Sequence, residues 1–128
     1  MNRYNYYSFI VAALFFLTPN IYGQNLHGKF TEKEFSGSSI FLYEVYGPQL
    51  RPVDTTKVNS DGSFHFKINE YLLGYYRLAS SSQNWVDIIL NPEEEEVFLS
   101  FNNSIDFTQM KVLVSNENKA RMEYKTLI

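Results

Sequence analysis

Residues Pro52–Ile68 read PVDTTKVNSDGSFHFKI, and this stretch decides the fold class. Asp61-Gly62 separates two extended segments, and glycine supplies the positive φ angle that a tight turn needs. After the turn, apolar and polar residues alternate, which places every second side chain on one face of a strand. The stretch therefore predicts two strands, at residues 50–58 and 63–68, joined as a hairpin at Asp61-Gly62.

Other short segments rich in β-branched and aromatic residues predict the remaining strands, at residues 26–33, 40–46, 75–79, 85–90, 96–101 and 110–114. Segment 40–46 is almost continuously apolar, as expected for a central strand that is covered on both faces. About eight short strands with frequent turn signals indicate an all-β fold. We expect an antiparallel β-sandwich or open barrel over residues 24–115.

The first 23 residues have the pattern of a signal peptide. Arg3 precedes the apolar run 9–17, Pro19 breaks the run, and Gly23 is a small residue before the expected cleavage point. An uncleaved membrane anchor is the alternative, but a spanning helix needs about 20 apolar residues and this run has roughly half of that. The pattern predicts export to the periplasm or cell envelope, with no membrane span after cleavage.

The composition excludes several classes of function. The chain has 128 residues, no cysteine and a net charge of −3. Without cysteine there is no disulfide, no thiol chemistry and no lipid anchor attached through cysteine. The acidic balance argues against a nucleic-acid partner. The composition does not indicate an oligomeric state.

The end of the chain, residues 116–128, predicts a helix capped by Ser115. Its apolar residues recur at helical spacing: Ala120, Tyr124, Leu127 and Ile128. We interpret this helix as the start of a longer linker whose apolar stripe is exposed or incompletely packed. A C-terminal helix docked on the sandwich is the alternative.

Two groups of oxygen-bearing residues are candidate ligand sites. Glu93–Glu96 could hold Ca²⁺, but consecutive strand residues point to opposite faces, and the spacing of a known calcium loop is absent. We therefore expect a solvated turn. Asp54-Thr55-Thr56 would lie beside Asp61 in the predicted hairpin and could bind a metal or sugar hydroxyls, but hydrogen bonding to the local backbone is favoured.

His27 and His65 are the two histidines of the chain. No nucleophile motif accompanies either of them, and two histidines far apart in sequence form no zinc set without cysteine. We therefore predict no catalytic, cofactor-binding or metal-binding residues, no cofactor, and no enzymatic activity.

Four aromatic residues could line a sugar-stacking platform or pack in the core, and core packing is favoured: Tyr46, Tyr75, Tyr76 and Trp85. Asn102-Asn103-Ser104 matches a glycosylation sequon, to which we attach no weight because it matters only in a eukaryotic secretory pathway.

The order of the elements resembles the domain of unknown function 4369, the N-terminal β-domain of exported thioredoxin-like proteins of Bacteroidetes. The matching segments cover most of residues 25–120: Leu26–Phe30, Ile40–Glu44, Val53–Val58, Asp61–Phe66, Gly74–Leu78, Val86–Leu90 and Ser115–Asn118. The resemblance implies a β-sandwich followed by a helical linker and a Cys-x-x-Cys domain. Because this chain contains no cysteine, that redox activity is carried over to none of its residues.

These observations favour a non-catalytic, exported accessory or interaction domain, with a thioredoxin-like domain or an envelope protein as partner. The alternative is a stand-alone glycan- or peptide-binding module of the cell envelope, which would present an exposed aromatic platform including Trp85 or Tyr46.

Overall fold

The computed structural model describes residues 24–69 and 72–127. In this part of the chain eight strands precede one α-helix: β1 (Gln24–Phe30), β2 (Ser39–Tyr46), β3 (Gln49–Lys57), β4 (Ser63–Ile68), β5 (Gly74–Ala79), β6 (Trp85–Leu90), β7 (Glu96–Phe101), β8 (Lys111–Val114) and α1 (Asn116–Leu127). A short 3₁₀ helix, Lys33–Phe35, follows β1. The predicted signal peptide, residues 1–23, lies outside the described residues.

The strands form two four-stranded sheets, so the predicted β-sandwich is confirmed. Sheet A has the strand order β4-β1-β7-β8, and sheet B has the order β3-β2-β5-β6. Neighbouring strands are antiparallel except for β1 and β7, which are parallel. Among the described residues, no helix is long and apolar enough to cross a membrane.

The core lies between the sheets and is formed by alternate residues of the strands. Leu26, Leu42, Leu78 and Leu99, one from each of four strands, are fully buried. Their neighbours along each strand point outward, because successive side chains of a strand lie on opposite faces. The alternation read from residues 63–68, 85–90 and 96–101 therefore identifies the inward-facing residues correctly.

The hairpin predicted at Asp61-Gly62 is wrong. The strand before this turn, β3, pairs with β2 in sheet B, and the strand after it, β4, pairs with β1 in sheet A. The turn itself is present: Gly62 has a φ of 87°, and Asn59 N donates to Ser63 O at 2.8 Å. It is a corner at which the chain passes from one sheet to the other. Local turn chemistry is the same in both cases, so the sequence does not distinguish them.

Two strand predictions differ in detail from the structure. The first strand ends at Phe30 rather than residue 33, where the chain enters the 3₁₀ helix. Strand β2 is covered on one face only, since Phe41 and Tyr43 on its outer face are only half-buried. Its continuous apolar run reflects an aromatic outer surface rather than a second covering layer.

Helix α1 begins as predicted at a Ser115 cap. Ser115 Oγ accepts a hydrogen bond from Asn118 N at 3.2 Å, which satisfies a donor of the first turn. The carboxylate of Glu94 accepts hydrogen bonds from Ser115 Oγ and Asn116 N, both at 3.0 Å. This negative charge lies at the positive end of the helix dipole, where it is favourable.

One face of α1 docks on β6, and the opposite face is exposed. Asn118 is completely buried: its side chain accepts from Ile89 N at 2.8 Å and donates to Ile89 O at 2.7 Å. Met122 packs against the core. Ala120 and Tyr124 are exposed, as expected for the predicted stripe, while the Leu127 side chain and Ile128 lie outside the described part of the chain. The helix is thus docked, and neither Ala120 nor Tyr124 takes part in the docking.

Candidate functional site

A groove of about 340 Å³ lies on the outer face of sheet B. We call it the sheet B groove, and its lining residues are Phe41, Tyr43, Leu50, Arg77, Ala79, Ser81, Ser82 and Trp85. Concave surfaces lined by aromatic rings and a few polar groups are the usual form of a ligand site. This groove is therefore a candidate ligand site.

The strand register explains how the groove forms. Ala79 pairs with Phe41 of β2 on one side and with Trp85 of β6 on the other. These three residues therefore lie in one row across the outer face, with the smallest side chain in the middle. The two rings stand higher than the alanine methyl group and leave a depression between them. Serines from the β5–β6 connection, Ser81 and Ser82, close one end.

Arg77 is held rigidly beside this depression. Its Nε donates to Asp87 Oδ1 at 2.8 Å and its Nη2 to Asp87 Oδ2 at 3.1 Å, a bidentate pair. Its guanidinium carbon lies 3.6 Å from the centroid of the Trp85 ring, which is a close cation–π contact. The hydrogen bond with Asp87 raises the pKa of Arg77. The groove therefore presents a fixed positive charge and an ordered indole.

The prediction that the four aromatic residues pack in the core is wrong for three of them. Tyr46, Tyr75 and Trp85 expose 56%, 48% and 39% of their surface, and only Tyr76 is buried. The three exposed residues occupy outward-facing or turn positions of sheet B. Alternation assigns successive residues to opposite faces of a strand. Where both faces carry apolar residues, it does not show which face packs in the core.

The structure does not place Asp54 beside Asp61, as the predicted hairpin would have done. Asp54 accepts from Thr55 N and Asp61 accepts from Ser63 N, so each carboxylate serves its local backbone. The two residues are apart because β3 and β4 belong to different sheets and do not form the predicted hairpin. The side-chain and backbone hydrogen bonds from Ser63 lower the pKa of Asp61.

The run Glu93–Glu96 forms the β6–β7 turn and the start of β7. Glu93 and Glu95 are exposed, as predicted for a solvated turn, whereas Glu94 caps α1 and Glu96 contacts His27. In the sequon, Asn103 Oδ1 accepts from Gln109 Nε2 at 2.7 Å, a contact within the β7–β8 connection.

The two histidines meet on the outer face of sheet A, which sequence reasoning missed. His27 of β1 and His65 of β4 are direct cross-strand partners, and their rings stack with centroids 4.7 Å apart. Phe98 stacks on the other face of His27 at 4.4 Å. We call these three residues the sheet A ring row. No local signal could have shown the pairing, because it depends on the register of two strands distant in sequence.

Polar contacts hold the edges of the two imidazoles. His27 Nε2 lies 2.7 Å from Glu96 Oε2, and His65 Nε2 lies 2.9 Å from Asn25 Oδ1. Asn25 Nδ2 donates to Glu96 Oε1 at 3.2 Å and joins the two pairs. Burial and the neighbouring His27 lower the pKa of His65. In these side-chain positions, no three His, Asp or Glu residues of the described part gather their donors around one point.

Comparison of the chain with protein-family models, curated proteins and solved structures finds no match. The resemblance to the domain of unknown function 4369 therefore remains a prediction from the sequence. The two candidate sites lie on the outer faces of the sandwich, one on each sheet.

Proposed function

We propose that this chain is a non-catalytic interaction domain, exported to the cell envelope, that binds a glycan in the sheet B groove. The observation that supports it most is the fixed pair of Trp85 and Arg77 beside the half-buried rings of Phe41 and Tyr43. Aromatic side chains on the outer face of sheet B do not contribute to the core between the two sheets. A surface that keeps them ordered is suited to binding.

The chemistry of the groove fits a sugar. The C–H faces of a pyranose ring are apolar and pack on aromatic rings, while its hydroxyls need hydrogen-bond partners in the plane of the ring. Phe41 and Tyr43 supply rings about one sugar unit wide, stacked with their centroids 6.5 Å apart. Arg77 and the loop serines supply polar groups at the rim. With Nε and Nη2 bound to Asp87, the third nitrogen of Arg77, Nη1, is left for a ligand.

Trp85 makes the proposal directly measurable, because it is the single tryptophan of the chain. We expect its fluorescence to change saturably on titration with oligosaccharides of the bacterial envelope. Tyr43→Ala should weaken that response about tenfold or more, because it removes a ring of the groove. Tyr46→Ala is the matched control, since Tyr46 is an exposed tyrosine that does not line the groove.

A saturable response that Tyr43→Ala leaves unchanged would place the binding elsewhere. No response to any oligosaccharide, with the folded state verified by circular dichroism, would remove the glycan proposal. A response to peptides alone would favour the peptide-binding alternative.

A second candidate function is an accessory domain beside a thioredoxin-like domain. The observation that favours it is the exposed face of α1, where Tyr124 exposes 67% of its surface while Asn118 and Met122 hold the helix on the sandwich. The DNA sequence downstream of codon 128 tests this candidate. A continuing frame that encodes Cys-x-x-Cys would support it, and a stop codon directly after codon 128 would count against it.

A further inference from the structure

The chain has two histidines, and they lie face to face on one sheet. The backbone explains why they are so close. Asn25 N donates to Glu95 O on the β7 side of β1, whereas Phe30 N donates to Gly62 O on the β4 side. By the alternation of a strand, the backbone of His27 faces β7. His27 and His65 are therefore a non-hydrogen-bonded pair, the closer of the two cross-strand arrangements.

The hydrogen-bond network assigns the protons of both neutral rings. Glu96 is an acceptor, so the Asn25 amide turns its Nδ2 toward Glu96 and its Oδ1 toward His65. An amide oxygen can only accept, and His65 therefore carries its proton on Nε2. In the same way, His27 donates from Nε2 to the Glu96 carboxylate.

This assignment leaves Nδ1 of each neutral imidazole with a free lone pair. Neither Nδ1 has a hydrogen-bond partner among the residues that the structure describes. A histidine that binds a metal through one nitrogen usually donates its other N–H to a carboxylate or carbonyl oxygen, which fixes the ring. Both rings of this pair have that outer partner.

We propose that His27 and His65 bind one divalent transition-metal ion, of the zinc, nickel and copper group, through their Nδ1 atoms. Glu96 and Asn25 act as positioning residues that hold the two Nε2–H groups. Imidazole nitrogens favour these ions, and water molecules complete the coordination.

Binding requires one imidazole to rotate, because the two stacked ring planes lie only 19° apart and the in-plane lone pairs of nearly parallel rings do not meet at one ion. Metal–nitrogen bonds of about 2.0–2.1 Å also need the two Nδ1 atoms roughly 3–3.5 Å apart. Phe98 packs on the outer face of His27 and holds that ring. His65 is exposed, so it is the ring that turns, and the Asn25 side chain has to follow it to keep the hydrogen bond with Nε2. This site lies on sheet A and does not depend on the proposed glycan function of sheet B.

The test is a calorimetric titration of the full chain with NiCl₂ and with ZnCl₂ at neutral pH. We expect one ion per chain. His27→Phe and His65→Phe keep an aromatic ring in the row but remove the donor, and each should abolish binding. Glu96→Gln should weaken binding by about tenfold, as loss of such an outer partner does. Glu93→Gln is the control, because Glu93 belongs to the same acidic run but is exposed and does not contact the histidines.

Equal binding by the wild type and both histidine variants would overturn the proposal and place the ion elsewhere on the chain. Absence of binding by the wild type would also overturn it. Nuclear magnetic resonance of the two imidazoles tests the donor atom, since Nδ1 and Nε2 coordination give different ring nitrogen shifts. Coordination through Nε2 would contradict the assigned positioning role of Glu96 and Asn25.

Discussion

At Gly28 the sandwich leaves no room for a side chain. A Cβ placed there would lie 2.0 Å from the ring of Phe64, the cross-strand partner, whose side chain is buried. A glycine weakens a strand in isolation, but here its empty space is filled by the aromatic ring of the neighbouring strand. We expect Gly28→Ala to lower the free energy of unfolding by about 1–3 kcal/mol through overpacking, as measured by urea denaturation.

Two further variants test that explanation. Gly74→Ala is the matched control, since a Cβ there meets nothing within 4 Å, and we expect it to change stability by less than about 1 kcal/mol. Combining Gly28→Ala with Phe64→Leu should cost less than the sum of the two single changes, because the smaller side chain makes room for the methyl group. Strict additivity would show that the ring does not cause the loss.

The hydrogen bonds of Asp106 lead us to expect a loss of stability in acid. Its carboxylate accepts from Thr108 Oγ1 and from Gln109 N, and these bonds lower its pKa from the ordinary value of 3.8. The pKa of Asp106 is lower in the folded protein than in the unfolded chain. As the pH falls below about 4, the unfolded chain therefore takes up a proton before the folded protein does. The stabilisation is present above that pH and disappears as the pH falls through the folded pKa. Asp106→Asn should flatten this part of the curve of unfolding free energy against pH.

The docking of α1 on β6 protects an edge of sheet B. Strand β6 is the last strand of this sheet, so the outer N–H and C=O groups of Ile89 have no neighbouring strand. The amide of Asn118 supplies one acceptor and one donor to them, as a neighbouring peptide group would. Arg121 Nη1 donates to Asp87 O two residues along. Side chains of the helix therefore supply the hydrogen bonds that a neighbouring strand would otherwise make to the outer edge of β6.

We expect Asn118→Ala to reduce the free energy of unfolding by about 1–3 kcal/mol, because both groups of Ile89 lose their partners. Alanine is the better helix former, so a loss cannot be attributed to helix propensity. Lys119→Ala, at the next and exposed position, should have little effect. Amide hydrogen exchange gives a local check: the Ile89 amide should lose protection in Asn118→Ala. Unchanged protection would show that another group covers it.

Strand patterns could be predicted from the sequence, but strand partners could not. Alternation at residues 63–68 and 96–101 identifies strands because it depends only on neighbouring residues. Asp61-Gly62 identifies a turn for the same reason. Whether that turn joins paired strands or crosses between sheets depends on which distant strand offers a complementary face. The contact between His27 and His65 depends on the same non-local register.

The chain passes between the two sheets repeatedly, and residues of both sheets share one core. Sheet A takes strands from the beginning, middle and end of the chain, and sheet B takes those between them. We therefore expect one cooperative unfolding transition. The chain provides a reporter for each sheet: Trp85 lies in sheet B, and both histidines lie in sheet A.

Urea denaturation followed by Trp85 fluorescence and by histidine ring resonances should give the same midpoint. Far-ultraviolet circular dichroism, which reports on both sheets, should agree with them. Separate midpoints for the tryptophan and the histidines would show that one sheet persists without the other.

The position of Asn118 along the chain has a consequence for synthesis. Helix α1 follows all eight described strands, so a ribosome makes β6 well before it makes the residue that covers it. During that interval the Ile89 edge is open to strands of other nascent chains, a known route to aggregation. Conditions that slow translation between codons 90 and 118 would lengthen this exposure and lower the soluble yield, although the finished protein would be unchanged.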